Sequence, residues 1–227
     1  MEAVLDSLPD VLKAFGYTIA LFLVSGVLSL IGGTILVAMR VGPIPVLARA
    51  AAFYVTIVRN TPLLMVFFFF TFAGPRIGIK FNFVDIHIGT FDFTAFFSGA
   101  VVSLTLYTST FVCEALRSGV NAVPLGQAEA ARAIGLPFGG VMSQVVLPQA
   151  FRASVPPVAS ALIALLKNTS VAAVFGVIEA TAQMKIMTNN NADQRWGIFL
   201  AFAIGYVILV ELVSLVAASF ERRWRIA

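Results

Sequence analysis

The sequence predicts an all-α polytopic membrane protein of about five transmembrane helices, and three observations carry that prediction. Of the 227 residues, 59% are hydrophobic and only 11% charged, where soluble domains run at roughly 45–50% and about 25%. Five apolar stretches each reach the ~20 residues a helix needs to cross a bilayer. The basic residues, finally, gather between alternate stretches, which is how cytoplasmic loops of membrane proteins are marked. Mean hydropathy is +0.96.

Residues 1–14 form an expected exposed lead-in, because Met1–Lys13 carries Glu2, Asp6, Asp10 and a single lysine. A secretory signal would begin positively charged and end at small residues, and this segment does neither. A surface helix capped by Ser7 ahead of Pro9 is the expectation, leaving insertion to the first span. Residues 15–227 form one transmembrane domain, with a cytoplasmic loop over 121–152.

The first span is expected over Phe15–Met39, with Gly26, Gly32 and Gly33 as close-packing points. The second, Val46–Ala73, is interrupted by Arg59-Asn60-Thr61-Pro62 and ends near Phe67–Phe70, a lipid-facing or packing surface. The third, Phe93–Val120, carries Glu114 and Arg117 near its end. The fourth, Val155–Ile178, starts after Pro156-Pro157 because proline lacks a helix donor, and it contains Lys167. The fifth, Trp196–Phe220, holds Glu211 in a structural or interfacial role. Alternation in Lys80–Asp85 predicts a short hairpin in the outer loop 74–92. No internal repeat is visible, and an odd number of spans argues against two equal inverted halves.

The Arg40–Arg49 link, the Arg117–Arg152 loop and the tail with Arg222, Arg223 and Arg225 fall on one side. By the positive-inside rule that side is cytoplasmic, the C-terminus is inside and the N-terminus outside. The net charge of +4 is thus explained by membrane anchors, with no nucleic-acid partner expected. One cysteine, Cys113, excludes an internal disulfide or a Cys-based zinc site, and the lone His87 has no carboxylate cluster beside it, so no metal is expected. No G-x-x-x-x-G-K-[ST], H-E-x-x-H or G-x-S-x-G motif occurs. A membrane-embedded enzyme would need a convergent nucleophile, base or metal set, which one Cys and one His do not supply.

The stretch Gly126–Arg152 is too polar, and too broken by Gly and Pro, to cross a membrane. Gln127–Ile134 is rich in helix formers and ends at Gly135, which can take a left-handed terminus. A second short helix, Gly139–Val146, is expected to stop at Pro148. The product is a docking knuckle: Ala130 and Ala131 allow a partner to approach closely, and Glu129 and Arg132 put charge at its edge.

Glu129-Ala130-Ala131, then Gly135, then Val145, Leu147 and Pro148 resemble the EAA signature of membrane subunits of ABC importers, with Val145 where the signature often has Ile. The flanks Arg59–Leu64 (RNTPLL) and Lys167–Ser170 (KNTS) resemble the polar-amino-acid permease branch, which includes histidine, glutamine and glutamate permeases. The likeness runs from about Thr18 to the C-terminus. It implies a type I ABC importer permease fold in a prokaryotic cell membrane and a non-catalytic subunit binding no cofactor itself, with ATP and Mg on a partner ATPase. Further implied partners are a second permease chain, identical or paralogous, and an extracytoplasmic binding protein; membrane lipid surrounds the spans. Glu129 would orient the joint through hydrogen bonds, Gly135 would make the bend and Pro148 would direct the exit into the fourth span.

The expected cargo is a polar amino acid, with glutamate suiting two cations best. Arg59 or Lys167, helped by Asn60, Thr61, Asn168, Thr169 and Ser170, is expected to line the path, because intramembrane charge usually faces a bundle interior or pathway. Pro62 frees a backbone carbonyl beside Arg59, which favours a cavity over simple snorkelling. Glu114 is a further path candidate, although pairing with Arg117 three residues on is the simpler reading. An ATP-independent secondary transporter would also explain buried charge but gives the knuckle no purpose.

Overall fold

The computed structural model describes residues 2–79 and 86–224. Helices α1 (Glu2–Asp6) and α2 (Leu8–Val41) open the chain; α3 (Pro45–Asn60) follows, then α4 (Leu63–Phe68), a π-helical turn (Phe69–Ala73) and α5 (Gly74–Arg76). A hairpin, β1 (Ile86–Ile88) and β2 (Phe91–Phe93), leads into α6 (Ala95–Asn121) and the short α7 (Leu125–Ala133). The chain then rises through α8 (Phe138–Gly140), a π turn (Val141–Val146), α9 (Leu147–Asn168) and a 3-10 segment (Thr169–Phe175). Helices α10 (Ala180–Asn190) and α11 (Arg195–Trp224) complete it.

Four of these helical runs are long and apolar enough to cross a membrane, and α3 with α4–α5 makes a fifth that bends by 103° at Thr61-Pro62. Pro62 forces the break: it offers no N–H to α3 and disfavours helical geometry at Thr61, which is extended at φ −89°, ψ 131°. The interruption expected at this motif is therefore a sharp corner within the membrane-length segment.

The bundle is centred on α6, 67% of whose apolar window is buried, against 11% for α11. Small residues let helices approach it closely, the usual way helices associate where lipid removes the hydrophobic drive. A Cβ on Gly33 of α2 would sit 2.5 Å from Val112 of α6, and one on Gly119 would collide with the Ala150 carbonyl of α9. Gly26, expected as another such point, only reaches ordinary contact with Leu165. Some buried hydroxyls on α6 are satisfied by their own helix, Ser103 Oγ donating to Gly99 O at 2.8 Å and Thr110 Oγ1 to Tyr107 O at 2.7 Å, whereas Thr105 Oγ1 is buried without a partner among the described residues. Phe67 is fully buried and stacks on Phe175 at 5.1 Å, whereas Phe68 and Phe69 are exposed. The phenylalanine run thus serves both packing and lipid surface.

Several boundaries differ from expectation. The lead-in is helical and docked: Val4 and Val11 are buried with Ile198 and Phe202 of α11, because α2 begins at Leu8 instead of Phe15. Ser7 stands at the cap position of α2 but its side chain makes no capping bond. Neither Pro148 nor Pro156-Pro157 ends a helix. Pro148 lies in the first turn of α9, directly after the π turn, where a wider hydrogen-bond pattern accommodates its missing donor. The helix passes through Pro156 and Pro157, as transmembrane helices can. The fourth span consequently begins near Phe138, not Val155. Lys80–Asp85 lies outside the described residues, and the hairpin found just beyond turns at Gly89, φ +58°.

Candidate functional site

Two places gather the functional candidates: the knuckle between α6 and α9, and a cavity at the far end of α9. In the knuckle, α7 ends in a Schellman motif. Gly135 N–H donates to Arg132 O at 2.9 Å and Leu136 N–H to Ala131 O at 3.2 Å, with Gly135 at φ +92°. Only glycine adopts that geometry without cost. Leu136 then packs with Ala131, Val141, Val146 and Ala150. Gln149 Nε2 donates both to Gln127 Oε1 at 2.6 Å and to Val145 O at 2.8 Å. The knuckle is therefore tied to α9 by apolar packing and one side-chain bridge.

This arrangement corrects two expectations. Ala131 is buried, so its small size lets α7 close onto the rising helix; of the alanine pair, only Ala130 is open to a partner. Glu129 is exposed and, among the described residues, no hydrogen bond or ion pair involves it; Gln127 holds the joint instead. Arg132, Leu147 and Pro148 are exposed. Leu125 and Ile134, at opposite ends of α7, are 80% and 81% exposed. Together with Ala130 they leave an apolar, closely approachable surface flanked by charge, as a docking element requires.

The expected path residues separate. Arg59 and Asn60 are exposed at the end of α3, and the Arg59 guanidinium stands 5.4 Å from the Phe111 ring centroid, a cation–π contact. Thr61 Oγ1 caps α3 by donating to Ile57 O at 2.9 Å, and Pro62 begins α4. Glu114 is paired: one carboxylate oxygen takes a short bond from Arg40 of α2, and the other lies 3.6 Å from Arg117. Two cations satisfy it, so the simpler pairing reading holds with Arg40 as its stronger partner.

Lys167 and Ser170 instead line a cavity of about 510 Å³ with Thr181, Phe202, Tyr206 and Glu211. Thr169 is buried and donates to Leu166 O at 2.7 Å, and Ser170 donates to Lys167 O at 2.7 Å, which turns α9 into the 3-10 segment. Asn168 is half-buried at that junction. Glu211, expected to be structural or interfacial, thus shares a cavity with a cation.

The sequence reading missed Glu179. It is fully buried and caps α10, accepting from Thr181 N at 3.0 Å and Ala182 N at 3.0 Å. Tyr206 Oη donates to it at 2.7 Å, and Thr18 Oγ1 lies at 3.4 Å. Thr18 also accepts from Ala180 N at 3.2 Å, so one carboxylate joins α2, α10 and α11 beside the cavity. Its only sequence signal was a carboxylate directly ahead of the helix formers Ala180–Met184. Among the described residues no group of three His, Cys, Asp or Glu side chains is placed to hold a metal.

Comparison with known proteins places this geometry. The chain is 44% identical over 215 residues to the glutamate transport system permease protein GluC of Corynebacterium glutamicum, covering 95% of this chain and 94% of that one. It is 36% identical to the probable glutamine ABC transporter permease protein GlnP of Bacillus subtilis, covering 92% and 91%. Against the glutamate/aspartate import permease protein GltJ of Escherichia coli K12 it is 30% identical, covering 94% and 87%. Among solved structures, an amino acid ABC transporter with histidines superposes with a TM-score of 0.83 at 24% identity, covering 97% and 96%. The MetNI methionine ABC transporter in an inward-facing conformation gives 0.72 at 19%, covering 97% and 99%. These two establish the fold. A family model described as binding-protein-dependent transport system inner membrane component matches residues 29–226, and the chain belongs to that family.

Proposed function

We propose that this chain forms the translocation path for glutamate in an ATP-driven importer, and that α7 is the element through which a separate ATPase subunit acts on it. The observation that carries the substrate is the 44% identity, across nearly the whole chain, to a glutamate transport permease. The cavity chemistry supports it. Lys167 offers a cation to a carboxylate, Glu211 an anion to an ammonium, and the Thr181–Tyr206 hydroxyl pair, 2.9 Å apart, supplies neutral polar contacts. Such groups in a low-dielectric span discriminate strongly, because leaving them unpaired is costly.

The coupling reading follows from how rigidly α7 is joined to α9. Its 22 residues span about 33 Å at 1.5 Å per residue, so α9 runs from the knuckle to Lys167 as one lever. A displacement of α7 by closing ATPase subunits would be carried along α9 to the cavity. The EAA-type knuckle is exposed and presents Leu125, Ala130 and Ile134. Nucleotide and Mg belong to the ATPase under this reading, the amino acid arrives from an extracytoplasmic binding protein, and a second permease chain completes the path. The knuckle and C-terminus lie in the cytoplasm and the N-terminus outside, as the clustering of Arg40, Arg49, Arg117, Arg132, Arg152 and Arg222 favours.

The test is uptake of labelled glutamate by proteoliposomes holding the chain with its co-purified partners. Uptake should require internal ATP and binding protein, and should stop when the ATPase is stripped away. Uptake that continues without ATP would overturn the proposal in favour of a secondary transporter.

A further inference from the structure

The cavity beside Lys167 has a hydrogen-bond polarity, and buried Glu179 sets it. Glu179 is an acceptor at both carboxylate oxygens: Oε1 takes the N–H of Ala182 at 3.0 Å and Oε2 the N–H of Thr181 at 3.0 Å. A backbone N–H cannot turn round and accept, so these two bonds give the network a fixed direction. The sequence provides for them locally, since Glu179 is extended at φ −88°, ψ −178° and stands at the N-cap of α10. Tyr206 reaches the same Oε2 from α11 and donates to it at 2.7 Å.

That commitment is passed on. A phenol has one hydrogen, and with it spent on Glu179 the Tyr206 oxygen accepts from Thr181 Oγ1, 2.9 Å away. Thr181 thereby spends its own hydrogen on Tyr206. Ser170, the third hydroxyl of the cavity, donates to Lys167 O at 2.7 Å. All three hydroxyls therefore show the cavity lone pairs and no hydrogen. Glu211 adds a carboxylate, and among the described residues that line the cavity only the Lys167 ammonium remains as a side-chain donor.

We propose that Glu179 is a positioning residue for recognition of a protonated amine: through Tyr206 it holds the Thr181 hydroxyl as an acceptor for the α-ammonium of the bound amino acid. Glu211 neutralises that ammonium, and Lys167 takes a carboxylate. This rests on the reading that the cavity holds the cargo. An ammonium brings three donors to these lone pairs. A keto acid of the same skeleton brings only further lone pairs to that side, and polar groups left opposed and unpaired in a buried site are costly. The relay thus separates an amino acid from its amine-free analogue at a group that Glu179 itself does not touch.

The test is displacement of labelled glutamate from the complex purified with its ATPase in nanodiscs, with binding protein left out so that the spans supply the site. The competitors are unlabelled glutamate and 2-oxoglutarate, which keeps both carboxylates and has a ketone in place of the ammonium. The wild type should prefer glutamate by about tenfold or more. Thr181→Val keeps the shape and removes the lone pairs, and Glu179→Gln places an amide donor where the relay needs an acceptor. Both should cut the preference below about threefold by weakening glutamate, whereas Thr181→Ser should retain it. If Glu179→Gln fails to fold, the valine and serine variants at 181 decide the matter. An unchanged preference in Thr181→Val would overturn the proposal. So would a Glu179→Gln variant that melts earlier yet keeps the full preference, since that is how a purely structural joint behaves. The underlying reading fails separately: Lys167→Met should weaken both competitors, and unaltered binding of both would remove the cargo from this cavity and the proposal with it.

Discussion

The bend at Gly135 offers a direct test of how the knuckle works. Gly135 holds φ +92°, and no atom lies within 4 Å of where its Cβ would be. Substitution therefore meets backbone strain and no collision. A residue with a Cβ in left-handed geometry costs roughly 1–2 kcal/mol, with β-branched side chains at the upper end. That is a factor of about 5–30 in the ratio of native to non-native conformers, spent on the two bonds that close α7, Gly135 N to Arg132 O and Leu136 N to Ala131 O. Gly135→Val should thus lower ATP-dependent glutamate uptake in proteoliposomes, by at most about 5–30-fold. Gly135→Asn, whose side chain tolerates this region, should retain most of it. ATPase co-purification should weaken in the same order. Equal activity of the valine and asparagine variants, whether both full or both lost, would refute the argument that the left-handed bend is what matters.

Three other outcomes are expected. Lys167→Met should raise the KM for glutamate by about 10–100-fold through loss of one charge-assisted contact, whereas Arg59→Met, which removes a cation–π contact to Phe111, should change it less than about threefold; the reverse order would move the path to α3. Tyr206→Phe, which deletes the 2.7 Å bond to buried Glu179, should cost roughly 1–2 kcal/mol, visible as earlier thermal unfolding in detergent; an unchanged melting curve would remove this carboxylate as a joint between α2, α10 and α11. Arg40 and Glu114 side chains are 13% and 27% exposed, so Glu114→Gln should destabilise by roughly 1–2 kcal/mol, discounted for water at the helix ends. The charge-reversed pair Arg40→Glu/Glu114→Arg should recover at least half of that, and no recovery would show that geometry, not charge, fixes the contact.

Much of the site was legible because it is local. The knuckle could be placed from helix formers followed by Gly135, since a Schellman terminus needs only residues 131–136, and the break at Pro62 from proline stereochemistry. The errors have a common source. In water a proline's lost donor ends a helix, but here a π turn precedes Pro148 and the helix runs on through Pro156 and Pro157. Ala131 was assigned outward because helix periodicity over nine residues does not say which face has a neighbour, and the neighbours, Val141 and Val146, arrive only when the chain turns back.

By itself the sequence determined the fold class, the approximate number of spans, and the two motifs that mark the knuckle and the α9 terminus. These follow from apolar run length, basic-residue placement and backbone chemistry, all of which act over about twenty residues or fewer. Tertiary structure alone decided the partners of the charges. Glu114 went to Arg40, 74 positions away, Glu179 to Thr18 and Tyr206, and Lys167 to a cavity shared with Glu211. The physical reason is that a charge in a span must be satisfied by whichever helix packs beside it, and packing around α6 is set by small-residue contacts such as Gly33 on Val112 and Gly119 on Ala150. Those contacts are properties of pairs of helices, and no single stretch of sequence contains both members.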